Sequence, residues 1–348
     1  METGVSAWQP ATAAPGRSSL STQWASLAVR GLQLLARRLP DRMLWVTAKA
    51  LGGIFYYVIR LRRRVVLDRI AAGLPSDDGH RVARDSYTYA ALSLLWLLRL
   101  DGVANPQTSI SLDEDTRESL ASMRTVLANG QTSSHAIITT GHIGFWEIIP
   151  AALARPAVPV QTQWIVYRPL HNAALDDLVA SIRSAPGRRF IADKKCYGLL
   201  RDVLQRPNAN GNAAQLVGLV ADQRCNSERT RATVTFLGQP THMATGAARL
   251  HMETGATLWF TSVLHNKRFY ASSDPSEKPF HLVLRPISMN AATTATTAQE
   301  HATEIVQTYA SMLERLVLEY PEQYLWMHDL WNAAANGESR AVDLIWSR

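Results

Sequence analysis

Residues 139–154 read "TTGHIGFWEIIPAALA", which sets His142 and Glu147 five positions apart directly after a β-branched run. Histidine is the side chain whose charge changes near neutral pH. With a carboxylate on one ring nitrogen, its tautomer is fixed and its protonated form stabilised, and the other nitrogen can take a proton from a hydroxyl. A base of this kind typically contributes about 10²- to 10⁴-fold in rate. The same two residues also admit a plainer reading, a structural histidine and a glutamate on a solvated helix face. Their placement favours chemistry. "AIITT" is a strand, Gly141 ends it, and loops at the carboxyl ends of strands are where layered α/β folds build their sites. With a helix starting near residue 144, Glu147 lies in its first turn, within reach of the ring.

Other catalytic signatures are missing. The chain has no GxSxG elbow, no Walker A loop, no GxGxxG after a strand and no HExxH. Its two cysteines, Cys196 and Cys225, have neither CxxC nor zinc-ligand spacing. They read as reduced thiols of a cytosol-facing protein. No metal and no organic cofactor is expected. Direct transfer to an activated acceptor is the economical use of a histidine–carboxylate pair here.

The elements that must position the pair alternate from about residue 110 onward. Strands are expected at 135–140, 160–166, 216–222, 232–236, 256–263 and 281–285. Helices are expected at 114–128, 145–154, 171–184, 196–206, 241–253 and 298–319. This order predicts an α/β fold, a central mixed and partly parallel sheet flanked by helices. Residues 288–300, "SMNAATTATTAQE", read as a loop into the last long helix.

Before residue 106 the chain is different. Residues 1–20 lack periodicity and the marks of a signal peptide, and are expected to be a disordered tail. Helical patterns follow over 21–105. The stretch "DRMLWVTAKALGGIFYYVIRLRRRVV" is strongly apolar, but Lys49 interrupts it and Arg60, Arg62, Arg63 and Arg64 close it. It makes a poor bilayer span and a better helix pair lying in a membrane interface; a core-packed amphipathic helix is the competing reading. Residues 106–335 form the α/β domain and 336–348 a tail. Of the net charge of +7, the first hundred residues carry a surplus of eight, with fourteen Lys or Arg against six Asp or Glu. An anionic membrane or an acidic protein suits that surplus; nucleic acid does not, because no helix-turn-helix, RRM or zinc-finger pattern accompanies it.

"TTGHIGFWE", "VYRPLHNAALDDLVASIR", "GLVADQ", "VTFLGQPTHMATGAARLHMETGA" and "LEYPEQYLWMH" occur in an order similar to that of the bacterial late acyltransferases of lipid A biosynthesis. Those enzymes belong to the lysophospholipid acyltransferase superfamily with its HX4D/E motif, and the resemblance runs from about residue 25 to 331. It implies transfer of an acyl group from acyl carrier protein or acyl-CoA to a lipid hydroxyl, at the cytoplasmic face of a bacterial inner membrane, by a peripheral or monotopic protein. His142 would be the general base and Glu147 its orienting partner. Arg168 would bind donor or acceptor phosphate, or stabilise an oxyanion, a surface salt bridge being the competing reading. Asp222 and Gln223 match the family's "DQ", where substrate binding or a supporting role stays open. Thr245 and Gly246 would offer helix-start amides to an anion, or form no more than a plain helix turn. His328 and Trp331 fall in the closing motif, where packing of the last helix is expected.

Three segments depart from the family pattern: Phe145 replaces a small polar residue, Asp329 and Leu330 replace basic ones, and "RRRVVLDRIAAGLP" lacks an Asn. A lipid A-like glycolipid is the first expectation for the acceptor; if the missing basic residues are the ones that contact a phosphorylated precursor, the alternative is a less anionic acceptor, such as a different glycolipid, an aminolipid or a specialised-metabolite lipid. Two further readings remain: hydrolysis of the thioester or phospholipid, and an idle homologue that binds lipid or carrier protein as a scaffold.

Overall fold

A computed structural model describes residues 30–75, 78–99, 108–130, 134–154, 158–169, 173–208, 214–288, 295–328 and 330–331. The expected tails at 1–20 and 336–348, Asp329, and most of the small-residue loop after 288 lie outside the described residues.

Seven strands form one sheet in the order β1-β9-β8-β2-β5-β3-β4. They are β1 (Ile110–Leu112), β2 (Ala136–Thr140), β3 (Val160–Tyr167), β4 (Arg188–Ala192), β5 (Ala214–Val220), β8 (Thr257–His265) and β9 (Phe280–Pro286). All pairings in this sheet are parallel except β8 with β9. A parallel sheet needs both faces covered, and its central strand carries the pattern that follows: every residue of "AIITT" in β2 is buried. A separate antiparallel hairpin pairs β6 (Arg231–Phe236) with β7 (Gln239–Ala244).

Helices cover both faces. One core holds the long α11 (Ala298–Glu319), α8 (Tyr197–Leu204), α9 (Gly246–Thr254), the hairpin and the enclosed Tyr324 and Trp326. α11 starts on a reciprocal cap: Thr297 Oγ1 accepts from the Glu300 amide at 3.2 Å, and the Glu300 carboxylate accepts from the Thr297 amide at 3.1 Å. The other core holds α5 (Glu114–Ala128), α6 (Ile149–Leu153), Leu44 and Ala48 of the amino-terminal region and the stretch Tyr89–Trp96, whereas Val66, Ile70 and Tyr87 pack into the first core. Between β3 and β4 runs α7 (Ala173–Arg183). After β8 comes the short α10 (Lys267–Ala271).

The amino-terminal helices are α1 (30–38), α2 (Asp41–Gly53), α3 (Arg63–Gly73) and α4 (Gly79–Leu98). α2 runs on as a π-helical turn, Ile54–Ile59; Arg60 and Arg62 then take left-handed backbone angles of φ 55° and 53°. The chain thereby bends by 103° into α3. No single described helix is long and apolar enough to cross a membrane, although this bent pair passes that test jointly by length and composition. Leu44, Ala48 and Gly52 are the buried face of α2, and a Cβ at Gly52 would come within 2.7 Å of Thr88 backbone on α4. The opposite face is bare. Ten of the fourteen large apolar side chains exposed among the described residues fall between Leu32 and Leu61, Val58 being 75% exposed.

Candidate active site

β2 and β5 lie side by side and parallel, with Thr140 opposite Val220. The Ala221 amide continues the ladder to Thr140 O at 2.9 Å. His142 and Asp222 each stand two residues beyond that last pair, so the register alone delivers them to the same point at the sheet's carboxyl edge. The His142 amide donates to Asp222 Oδ2 at 2.8 Å, and its ring Nδ1 contacts Oδ1 at 2.7 Å. Gly141 is what allows this approach: a Cβ there would meet Leu313 at 2.8 Å and Asp222 Oδ2 at 3.1 Å.

The expected carboxylate on the ring of His142 is therefore Asp222 rather than Glu147. Glu147 sits in a 3₁₀ turn, Trp146–Ile148, and is taken by Arg183 at the end of α7. Arg183 Nε donates to one carboxylate oxygen at 2.8 Å and Nη2 to the other. The reason is geometric. The turn at 146–148 aims the carboxylate toward α7, whereas the ring nitrogen faces the neighbouring strand. Glu147 still acts on the ring at a distance through its charge.

Asp222 is buried and surrounded by donors. Besides His142, it accepts from Tyr324 OH at 3.2 Å, and His328 Nε2 lies 3.4 Å away. Burial alone would raise its pKa, but the charges and hydrogen bonds of His142 and His328 hold it well below the usual carboxylate range. For His142, burial works against the imidazolium; the charge and hydrogen bond of Asp222, with Glu147 behind, carry its pKa above the ordinary histidine value. His328 goes the other way, lowered by burial and by the repulsion of His142 and Arg69, despite Asp222. The two histidine rings are 4.8 Å apart, and Trp146 presents its edge to His142 at 5.0 Å.

The loop carrying His142 is strapped to the closing motif. The Gly144 amide donates to Gln323 O, the Leu325 amide to His142 O, and the Phe145 amide to Val263 O at 2.7 Å. Gly144 has φ +64°, and a Cβ on it would sit 2.2 Å from Val263 O, so only glycine fits. Arg69 of α3 donates to the carbonyls of Trp326 and His328, which anchors the other side of the strap. Phe145 is fully enclosed against His265 and Phe280, so this departure from the family pattern is a core packing residue.

The remaining expected residues scatter. Arg168 is exposed beyond the end of β3 and pairs with Asp193 at 3.2 Å; Gln223 is exposed. Thr245 is buried, and both its amide and its hydroxyl are spent on Thr230 O, which leaves neither for an anion. Gly246 opens α9 with space around its Cα. The Trp331 indole donates to Phe236 O, a packing contact. Sequence reasoning missed Arg183 and Tyr324. The first lies inside the quoted "LVASIR" and the second inside "YPEQYLWMH", but no spacing rule joins them to residues 36 and 102 positions away.

Among the described residues, His142, Asp222 and His328 form the only group able to offer three metal-ligand atoms, all within 4.8 Å. Within this group His142 and Asp222 stand at hydrogen-bond distance, 2.7 Å.

A family profile described as bacterial lipid A biosynthesis acyltransferase matches residues 15–333, nearly the whole chain. No curated protein matches it. The chain belongs to the bacterial lipid A biosynthesis acyltransferase family.

Proposed function

We propose that this member of the lipid A biosynthesis acyltransferase family moves a fatty acyl group from acyl carrier protein or acyl-CoA to a hydroxyl of a lipid A-like glycolipid, with His142 as general base. The observation that carries the reading is the 2.7 Å contact between His142 Nδ1 and an enclosed carboxylate, which leaves the opposite ring nitrogen for substrate. With Nδ1–H donated to Asp222, Nε2 holds the lone pair. It takes the proton of the acceptor hydroxyl as that oxygen attacks the thioester carbonyl. The tetrahedral intermediate then expels the thiolate, and the imidazolium returns its proton to sulfur. Asp222 steadies the imidazolium while it lasts. Glu147, locked to Arg183, holds the turn behind the base and adds negative charge near it.

Residues 21–105 supply the membrane-interfacial region and 106–335 the acyltransferase domain. The bare apolar face from Leu32 to Leu61, bordered by Arg60, Arg62, Arg63 and Arg64, suits an anionic bilayer, which for this reading is the cytoplasmic leaflet of the inner membrane.

The test is mass spectrometry of total lipids from lipid A-producing cells expressing wild type or His142→Ala. A lipid heavier by one fatty acyl group, present with wild type and lost with the variant, supports transfer and identifies the acceptor. A heavier lipid made equally by both proteins would remove His142 from the chemistry. No new lipid from a folded wild type would refute transfer to a lipid A-like acceptor.

A further inference from the structure

The carboxyl edge of the sheet has two unlike ends with His142 between them. At the β8 side it is roofed by the amino-terminal helices. Ser93 of α4 bonds both Gly144 O (3.2 Å) and His265 Nε2 (2.9 Å), and α2 packs against α10 just after β8. Passing the other way from β2, the strands are β5, β3 and β4. Their carboxyl ends bring Asp222, then Arg168, then a tight turn holding Lys194 and Lys195. The Asp193 amide donates to Tyr167 O at 2.9 Å, which pins this turn to the end of β3, and Lys195 takes a left-handed φ of 62° as the chain reverses into α8. Arg168, Lys194 and Lys195 are all exposed, and the one carboxylate among them, Asp193, is paired with Arg168.

We infer that Lys194 and Lys195, with Arg168, hold the phosphate of the donor's phosphopantetheine arm, so that the thioester at its far end reaches His142. The inference rests on the acyl-transfer reading and concerns the side from which the donor enters. The distance argument compares the sheet's geometry with the length of the arm. β2 to β4 is three inter-strand steps, about 14 Å at ~4.8 Å each. From its sulfur to its phosphorus the arm has about thirteen bonds, which span roughly 15 Å at the extension of a polypeptide backbone, ~3.5 Å per three bonds. A phosphate at the β4 turn and a thioester at the end of β2 therefore fit one extended arm. Charge agrees: the phosphate, a diester in acyl carrier protein and part of a diphosphate in coenzyme A, meets three cations against the single Asp193 carboxylate that Arg168 engages. So does the opposite end, because the apolar helices at the β8 side leave the lipid acceptor to arrive from the membrane and the water-soluble donor from the β4 side.

The same phosphate is carried by coenzyme A and by acyl carrier protein. The experiment compares wild type with the K194E/K195E double variant of the full chain. Equilibrium binding is measured with two probes, 4′-phosphopantetheine and pantetheine, and initial rates with acyl-CoA and acyl-carrier-protein donors. Wild type should prefer the phosphorylated probe at least tenfold, and the variant should lose that preference. The donor KM should rise about tenfold, with the change falling on KM rather than on kcat. A rise with one donor only identifies which carrier supplies the phosphate, and a rise with both assigns it to either. Equal affinity of wild type for the two probes overturns the inference, as does a rise in acceptor KM with donor KM unmoved. A wild type that prefers 4′-phosphopantetheine yet transfers no acyl group refutes the transferase reading and leaves the anion site standing.

Discussion

Replacing Asp222 by Asn tests the base and its partner together. The two Asp222 oxygens accept from the His142 amide at 2.8 Å, from His142 Nδ1 at 2.7 Å and from Tyr324 OH at 3.2 Å, all donors. An asparagine offers one oxygen and one NH₂, so one contact must turn donor against donor. The imidazole relieves this by moving its proton to Nε2, which leaves no lone pair toward substrate. Catalysis should then fall by about 10²- to 10⁴-fold, equivalent to roughly 3–5 kcal/mol in the barrier. The pH profile should shift as well. In wild type, Asp222 outweighs the effect of burial and holds His142 above the ordinary histidine pKa, so activity should rise with pH through a value above about 6.5. In the variant, burial is opposed only by the more distant Glu147, and the residual acid limb should lie at lower pH. Initial rates of acyl transfer between pH 5 and 9, with ¹⁵N NMR of the ring to assign its tautomer, measure both effects. Thermal melts exclude unfolding as the cause. A D222N protein that keeps its rate within threefold and its acid limb in place, beside an E147Q protein that loses both, would return the partner role to Glu147.

Other perturbations separate structural from chemical parts. Glu147→Ala and Arg183→Ala each break a two-pronged ion pair whose side chains are only 17% and 21% exposed. Each should cost about 1–3 kcal/mol in urea melts, and the double variant should lose clearly less than the sum of the two. Fully additive losses would show that the pair contributes nothing. His265 is enclosed, has no partner on Nδ1, and is held down to a pKa of about 3 by burial. The unfolded chain therefore binds a proton that the fold does not, and stability should fall as pH drops from about 6.5 toward 3, by up to ~1.4 kcal/mol per unit. His265→Gln should flatten that slope, and an unchanged slope would assign it to other groups. Val58→Asp with Ile59→Asp changes two side chains 75% and 55% exposed. Sedimentation with anionic vesicles should drop about tenfold or more while the melting temperature holds; undiminished sedimentation would refute the interfacial face. Point changes suit this test better than truncation, because Leu44, Ala48 and Gly52 of α2 are part of the core.

The sequence pattern makes six of the nine strands among the described residues legible, because their β-branched and apolar runs are long enough to show. β1 is three residues long, and the two arginines that open β4, "RRFIA", hide its period. β7 is the instructive failure. "QPTHMA" contains a proline and little β-branching, so the helix after it was read as starting at 241 rather than at Gly246. The usable signal was the turn before it: Leu237 and Gly238 both have positive φ, 52° and 71°, the geometry that closes a two-residue hairpin. At the site, strand, glycine and loop placed His142 correctly. Its partner was hidden for a different reason. Asp222 is eighty residues away, and only the parallel register of β2 on β5 shows that two equal two-residue overhangs meet.

That difference changes what the HX4E spacing is for. A carboxylate five positions after the histidine would be a local device, complete within one turn of chain. Here the local carboxylate is turned to α7, the helix that leads into β4, while His142 is oriented by Asp222 at the end of a neighbouring strand. Glu147 thus couples the loop of the base to the β3–β4 end of the sheet, where Arg168, Lys194 and Lys195 stand. Ser93 and Gln323 couple the same loop to the helical roof and the closing motif at the other end. His142 is held from both directions along the carboxyl edge, at the point where a donor arm entering from the basic side and a lipid hydroxyl entering from the apolar side would meet. For the proposed transfer from a water-soluble thioester to a membrane lipid, that placement would add proximity to the acid–base chemistry, because the two substrates share no phase.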